Sequence, residues 1–128
     1  MPQQISLTAL VVADYDEAIA FYVEKLGFVL TSDVPQGDGK RWVVVTPPGS
    51  TCGLLLARAV TDAQAARIGD QTGGRVGFFL HTDDFDGDHA RMSAAGVKFL
   101  EAPRREVYAT VAVFEDLYGN RWDLLQPK

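Results

Sequence analysis

The alternation of apolar and polar residues along the chain follows one pattern that occurs twice. Residues 7–16 (LTALVVADYD) and 77–86 (GFFLHTDDFD) each form a short apolar run that ends in an acidic and aromatic turn, at a constant offset of 70 residues. A period of two is typical of strands, because successive side chains of a strand point to opposite faces. The pattern therefore predicts a duplicated structural unit.

A helix is predicted after each of these strands. In the first copy Asp14 is a suitable N-cap, Glu17 follows three residues later, and the helix is predicted over 15–26. In the second copy Asp84 takes the same role, and a glycine follows each helix where a left-handed residue would end it. Three strand-like runs come next, namely 28–34, 41–46 and 53–57 in the first copy and 97–101, 110–114 and 121–125 in the second.

The order of strand, helix and three strands, repeated once, predicts an α+β fold of two tandem βαβββ modules. Module 1 covers residues 1–59, module 2 covers residues 75–128, and residues 60–74 form a linker with a short helix candidate. Each module is expected to form a curved mixed sheet with its helix on the convex side, around a cavity within one compact domain. A chain of 128 residues is long enough to bury such a core.

The charge balance limits the expected partners. The chain has 12 Lys and Arg against 17 Asp and Glu, which gives a formal net charge of −5 and disfavours nucleic acid and anionic membranes. The single cysteine, Cys52, cannot form an internal disulfide, and no targeting segment or membrane-spanning run is recognisable. We therefore expect a soluble, cytoplasmic protein that binds a small molecule.

Two segments carry a family resemblance. DYDEAIAFYVEKLGF at residues 14–28 and DLYGNRWDLL at residues 116–125, together with the duplication, resemble the vicinal oxygen chelate superfamily of glyoxalases, bleomycin-resistance proteins and extradiol dioxygenases. The resemblance covers residues 5–126. It implies a homodimer, and metal ligands supplied by the first and last strand of each module.

The metal ligands of the family are largely missing. By register, the four ligand positions fall on Leu7, Gly53, Gly77 and Asp123. Only Asp123 can bind a metal ion, and one carboxylate cannot offset the loss of the ion's hydration. The two histidines that a dioxygenase needs are also absent from these positions, because His81 and His89 lie elsewhere. We expect no cofactor, with a divalent metal as the disfavoured alternative.

Strand alternation indicates which residues face the cavity. If the ligand positions mark the concave face, the predicted ligand-binding residues are Leu7, Ala9, Gly53, Gly77, Phe79, His81, Arg121 and Asp123. Such a face is mostly apolar with a carboxylate, a guanidinium and an imidazole, which is typical of small-molecule pockets. Trp42 and Tyr108 are further aromatic candidates, but the sequence does not fix the direction in which they point.

Two interpretations stay open for the glycines and for Asp123. Gly53 and Gly77 leave space for a ligand, or they mark a bulge or a tight packing contact. Asp123 is a desolvated general base or hydrogen-bond anchor, which makes it the one candidate catalytic residue. Alternatively, it is a structural carboxylate paired with Arg121 or with backbone N–H groups.

The sequence thus predicts a protein similar to glyoxalases and bleomycin-resistance proteins that binds a small, partly apolar molecule in a cup-shaped cavity without metal. The alternative is a glyoxalase-like lyase or isomerase that uses a divalent metal or Asp123 as base. Whether the protein is an enzyme is left open.

Overall fold

The computed structural model describes all residues from Met1 to Lys128. The chain forms two compact units, Met1–Ile68 and Gly69–Lys128, and each unit has one mixed sheet with few helices. The predicted α+β class and the repeated order of strand, helix and strands are confirmed. None of the helices has the length and apolar character needed to cross a membrane.

Unit 1 has a four-stranded sheet. Its elements are β1 (Leu7–Val12), α1 (Tyr15–Ala20), β2 (Val29–Gly37), β3 (Lys40–Thr46), β4 (Gly53–Arg58) and the short α2 (Asp62–Ala65). The strand order is β1-β4-β3-β2, with β1 parallel to β4 and the other pairs antiparallel. The first strand of the unit therefore lies beside its last strand.

Unit 2 repeats this arrangement in a five-stranded sheet. Its elements are β5 (Val76–His81), α3 (Phe85–Ala94), β6 (Lys98–Phe99), β7 (Arg104–Arg105), β8 (Ala109–Glu115) and β9 (Arg121–Pro127). The order is β5-β9-β8-β6, and β7 also pairs with β8. The single strand predicted over 97–101 was wrong in extent: two short strands occupy this edge, and Pro103 between them has no N–H for a ladder hydrogen bond.

Both predicted helix caps are confirmed. Asp14 Oδ2 accepts a hydrogen bond from the Glu17 N–H at 2.8 Å, and Asp84 Oδ1 accepts one from the Gly87 N–H at 3.2 Å. After α1 the chain continues in a π-helical turn over Phe21–Lys25, in which the Leu26 N–H donates to the Phe21 carbonyl. The wider turn keeps the helical segment at its predicted length but changes its last turn.

The turn between β2 and β3 is tighter than the sequence predicts. β2 continues to Gly37, which pairs with Lys40, so that only Asp38 and Gly39 form the connection. Both have positive φ angles, 54° and 78°, which is the conformation that a two-residue turn needs to match the twist of the strands. An Asp-Gly pair is well suited to this conformation.

Each sheet has one face packed against its helix and one face turned away from it, which we call the open face. In unit 1, Leu10 and Val12 are fully buried, whereas Ala9, directly before Leu10, is exposed. In unit 2, Trp122 and Leu124 are buried on the helix side, and Asp123 between them lies on the open face. The predicted alternation is present in both units.

An aromatic stack ties the helix of unit 2 to its sheet. The His89 ring stacks on Phe85 and lies 4.2 Å from the Phe99 ring centroid, and the stack continues through Phe114 to Trp122. His89 is therefore a packing residue on the helix side.

Candidate functional site

Asp123 lies in the centre of the open face of unit 2. In the β-ladders it is directly opposite Phe79 on β5 and Val113 on β8. Residues opposite each other in neighbouring strands point to the same side of the sheet, so an aromatic ring and an aliphatic side chain flank the carboxylate. Phe79 is 62 % exposed, which leaves its ring available for a contact.

The Asp123 carboxylate is partly buried and incompletely bonded. Its Oδ1 atom is buried and has no hydrogen-bond partner. The proposed pairing with Arg121 does not form, because the Arg121 guanidinium donates instead to the Gly74 carbonyl at 3.2 Å. Burial raises the pKa of Asp123; Arg104 opposes this shift and Glu101 adds to it. The group is therefore a stronger base, and more easily protonated, than a surface aspartate.

The remaining predicted residues of unit 2 lie around this centre. His81 is exposed at the end of β5, opposite Leu125, and Arg121 is exposed at the start of β9. Tyr108 is 64 % exposed just before β8. The structure thus places Phe79, His81, Arg121 and Asp123 on one face, with Asp123 the most enclosed of the four.

The open face of unit 1 is apolar. Leu7 pairs with Gly53, and Ala9 pairs with Leu55, so that both predicted β1 residues lie on this face. Trp42 also lies here, because its neighbours Arg41 and Val43 point to the helix side; it is 39 % exposed. Strand parity therefore resolves the direction of Trp42, which the sequence left open.

Gly53 and Gly77 do not leave open space in their own units. A Cβ added to Gly53 would lie 2.7 Å from Thr46 Oγ1 and 2.9 Å from Val44 Cγ1. A Cβ added to Gly77 would lie 2.5 Å from Thr72 Cγ2. Neighbouring side chains already fill the volume beside both glycines, which supports the tight-packing interpretation.

The strand pairing changes which residue of unit 1 corresponds to Asp123 of unit 2. Leu10 pairs with Leu56, and Leu80 pairs with Leu124. The unit 1 residue that corresponds to Asp123 is therefore Leu55, two residues beyond Gly53, because the loops before the last strands differ in length. Leucine is no more able than glycine to bind a metal ion.

These residues do not fit a divalent metal. Asp123 is the only residue at the family's four ligand positions whose side chain has an oxygen or nitrogen donor. This holds whether Gly53 or Leu55 is taken as the ligand position in the last strand of unit 1. Within each unit, no group of three or more His, Cys, Asp or Glu side chains is arranged to hold an ion. We therefore derive no chemical step through a metal.

A cleft of about 340 Å³ lies at one end of the unit 1 sheet, where β3 begins and β4 ends. We call it the hairpin cleft. Its walls come from the β2–β3 hairpin, the start of α1, the end of β4 and the segment after it, and they include Tyr15, Trp42 and Arg58. Apart from naming Trp42 as an aromatic candidate, sequence reasoning missed this cleft; the Asp-Gly pair at residues 38–39 was the signal for the hairpin that forms it.

A comparison with protein-family models identifies the class of protein to which this fold belongs. The model of the Glyoxalase/Bleomycin resistance protein/Dioxygenase superfamily matches residues 4–124, and the chain belongs to this superfamily. The resemblance stated from the sequence is thus confirmed.

Individual proteins and solved structures are similar to this chain over nearly its whole length. A protein of Shewanella frigidimarina (strain NCIMB 400) is 59 % identical over 128 residues, which are 98 % of this chain and 95 % of that protein. The crystal structure of UcmS2 is 30 % identical with a TM-score of 0.85, over 98 % of both chains. TnmS3, an antibiotic binding protein from Streptomyces sp. CB03234, is 33 % identical with a TM-score of 0.80, over 99 % of this chain and 98 % of its own.

Gly77→Ala should destabilise the protein by about 1–3 kcal/mol, because the new methyl group meets Thr72 Cγ2. Thr72→Ser removes that carbon and keeps the hydroxyl that donates to the Arg75 carbonyl at 2.6 Å. Urea unfolding should therefore show that Thr72→Ser recovers part of the loss in the double variant. Equal loss in the single and double variants would contradict the packing interpretation.

Asp123→Asn should stabilise the protein at neutral pH, because the buried carboxylate is costly when ionised. Between the usual aspartate pKa of 3.8 and the raised pKa of the folded state, the folded protein binds more protons than the unfolded chain. The free energy of unfolding of the wild type therefore falls as pH rises through this window. The difference in free energy of unfolding between Asp123→Asn and the wild type grows over the same window.

Urea unfolding at about pH 4 and about pH 7 measures this change. Asp83→Asn, which neutralises an exposed aspartate of the same unit, is the matched control. An advantage of Asp123→Asn that is the same at both pH values, or no larger than that of the control, would contradict the assignment.

Proposed function

We propose that the protein binds a small, partly apolar molecule on its open faces and does so without a metal ion. The observation that carries this proposal is the partly buried, incompletely bonded carboxylate of Asp123 beside the exposed Phe79 ring. The family and the similarity to an antibiotic binding protein over the whole chain support the same function.

The face suits a molecule with a flat apolar body and one polar group. Phe79 offers a ring on which a planar body can stack. Asp123 offers an acceptor for a hydroxyl, amide or ammonium group of the ligand, and a hydrogen bond to a charged acceptor is stronger than one between neutral groups. On the same face of unit 2, His81 and Arg121 supply polar groups at exposed positions. Leu7 and Ala9 give the open face of unit 1 an apolar surface of its own, whereas Gly53 and Gly77 add none, because neighbouring side chains fill the space beside them.

A second function, a glyoxalase-like lyase or isomerase with Asp123 as base, is favoured by the raised pKa of this group. Such a reaction also needs a cation beside the developing oxyanion. Arg104 influences the Asp123 charge but already binds Glu101 at 2.7 Å and Glu106 at 3.3 Å, and Arg121 is bonded to Gly74. Two carboxylates neutralise Arg104, and solvent screens the charge of the exposed Arg121, so we favour binding over catalysis.

Tryptophan fluorescence titrations with doxorubicin, bleomycin, S-lactoylglutathione and catechol test the two functions. We expect saturable binding of doxorubicin, the planar antibiotic of this set, and we expect EDTA to leave its affinity unchanged. The Phe79→Ala variant should bind it about tenfold more weakly. Val107→Ala, at a residue that is 95 % exposed, is the matched control and should bind like wild type. Turnover of S-lactoylglutathione that Asp123→Asn abolishes would replace the binding function with the enzymatic one.

We also propose that the protein is a homodimer. β2 is an edge strand of the unit 1 sheet and carries the exposed apolar residues Val29, Leu30 and Val34. Exposed edges of this kind favour pairing with another chain. Sedimentation equilibrium should give twice the monomer mass, and Val34→Lys should shift the equilibrium towards the monomer. A monomer at all concentrations would contradict this proposal.

A further inference from the structure

The Arg104 side chain lies on the same face of unit 2 as Asp123. Arg104 is opposite Val111 of β8, two residues along that strand from the residue opposite Asp123. The next residue, Arg105, forms an ion pair of 3.0 Å with Asp86 of α3 and therefore points to the helix side. Because side chains alternate along a strand, Arg104 points to the open face.

Two glutamates hold the Arg104 guanidinium at the edge of this face. Its Nε atom donates to Glu101 Oε2 at 2.7 Å and to Glu101 Oε1 at 3.2 Å, and its Nη1 atom donates to Glu106 Oε1 at 3.3 Å. The shortest of these bonds has the length of a charge-assisted hydrogen bond. The hydrogen bond to Glu101 is also the main cause of the raised pKa of Arg104. Glu101 is thus the principal partner of this arginine.

Backbone hydrogen bonds fix both glutamates at this edge. The N–H of Leu100, the residue before Glu101, donates to the Val113 carbonyl at 2.8 Å, and the Glu106 N–H donates to the Ala109 carbonyl at 2.9 Å. Both acceptors belong to β8. The two carboxylates are therefore held on either side of β7.

The charges of Arg104 and Glu101 both act on Asp123. Burial is the main cause of the raised pKa of Asp123, whereas Arg104 lowers this pKa and Glu101 raises it further. Arg104 is thus within electrostatic range of the Asp123 carboxylate. Its donors nevertheless go to the glutamates, and Asp123 Oδ1 has no hydrogen-bond partner.

The other charged or titratable groups of this face have different partners or positions. Lys98 pairs with Glu115 at 3.4 Å, Arg121 donates to the Gly74 carbonyl at 3.2 Å, and His81 is exposed at the end of β5. Arg104 is therefore the cation whose placement decides whether Asp123 has a positive partner within the protein.

We propose that Glu101 is a positioning residue of this face: it holds Arg104 at the edge and so keeps Asp123 open to a hydrogen-bond donor of the ligand. Without Glu101, the Nε–H of Arg104 is free to pair with Asp123, since opposite charges on one face attract each other. The proposal rests on the ligand binding proposed above and adds the chemistry of the ligand's polar group. An ammonium group is favoured, because it gives Asp123 the positive partner that Arg104 does not.

An NMR experiment without ligand tests the position of Arg104. In ¹⁵N-edited spectra of the wild type, Asp123→Asn should move the Arg104 Nε–H signal only slightly, because this group is bound to Glu101. In the Glu101→Gln background, the same substitution should move the signal much further. Glu106→Gln removes an equal charge from the same arginine but leaves the Nε bond in place, so it is the matched control and should behave like wild type.

A pair of matched ligands tests the consequence for binding. Doxorubicin carries an ammonium group, and in N-acetyldoxorubicin this group is a neutral amide. We expect Glu101→Gln to weaken doxorubicin binding about fivefold and to leave the neutral analogue within about twofold. Arg104→Gln alone should change either affinity by less than about twofold, whereas in the Glu101→Gln background it should restore doxorubicin binding.

A second variant covers the possibility that circular dichroism shows Glu101→Gln to be unfolded. Glu101→Asp keeps the charge, but its side chain is one methylene shorter and should not reach the Nε atom of Arg104. In this background too, Asp123→Asn should move the Arg104 signal much further than in the wild type.

Three results would overturn the proposal. They are an Arg104 signal that responds to Asp123→Asn equally with and without Glu101, equal effects of Glu101→Gln and Glu106→Gln, and additive effects of Glu101→Gln and Arg104→Gln on doxorubicin affinity. The NMR experiment uses no ligand, so it decides the position of Arg104 even if the wild type binds no doxorubicin. Conversely, saturable binding that depends on Phe79 would leave the proposed function intact if Glu101 has no such role.

Discussion

The parallel pairing of the first and last strand in each unit is the constraint on which the candidate site depends. The pairs β1–β4 and β5–β9 bring the first and last strand of each unit together at one edge of its sheet. Because side chains alternate, the same pairing buries Leu124 against the helix side and turns Asp123 to the other side. A shift of one residue in this ladder would exchange the two.

Local signals were sufficient for much of this fold. The caps at Asp14 and Asp84 depend on residues three positions away, so the sequence alone predicts them. The faces of β1, β5 and β9 follow from a period of two over short runs. The constant offset of 70 residues predicted the duplication, and the family resemblance then supplied the predicted ligand-binding face.

The errors arose where distant residues decide the outcome. The division of the edge strand around Pro103 and the match of Asp123 to Leu55 depend on loop lengths and on pairing between strands. The hairpin cleft was missed for a related reason. Its walls include Tyr15, Trp42 and Arg58, which are far apart in the sequence and come together only in the folded unit.

The π-helical turn at Phe21–Lys25 has a consequence for how relatives of this chain can differ in length. Such a turn holds one residue more than a regular turn, so loss of a single residue there would restore ordinary helical geometry. The same loss inside β1 or β9 would move every following side chain to the opposite face of the sheet. We therefore expect single-residue deletions among homologues to collect in this turn and to be rare in the strands.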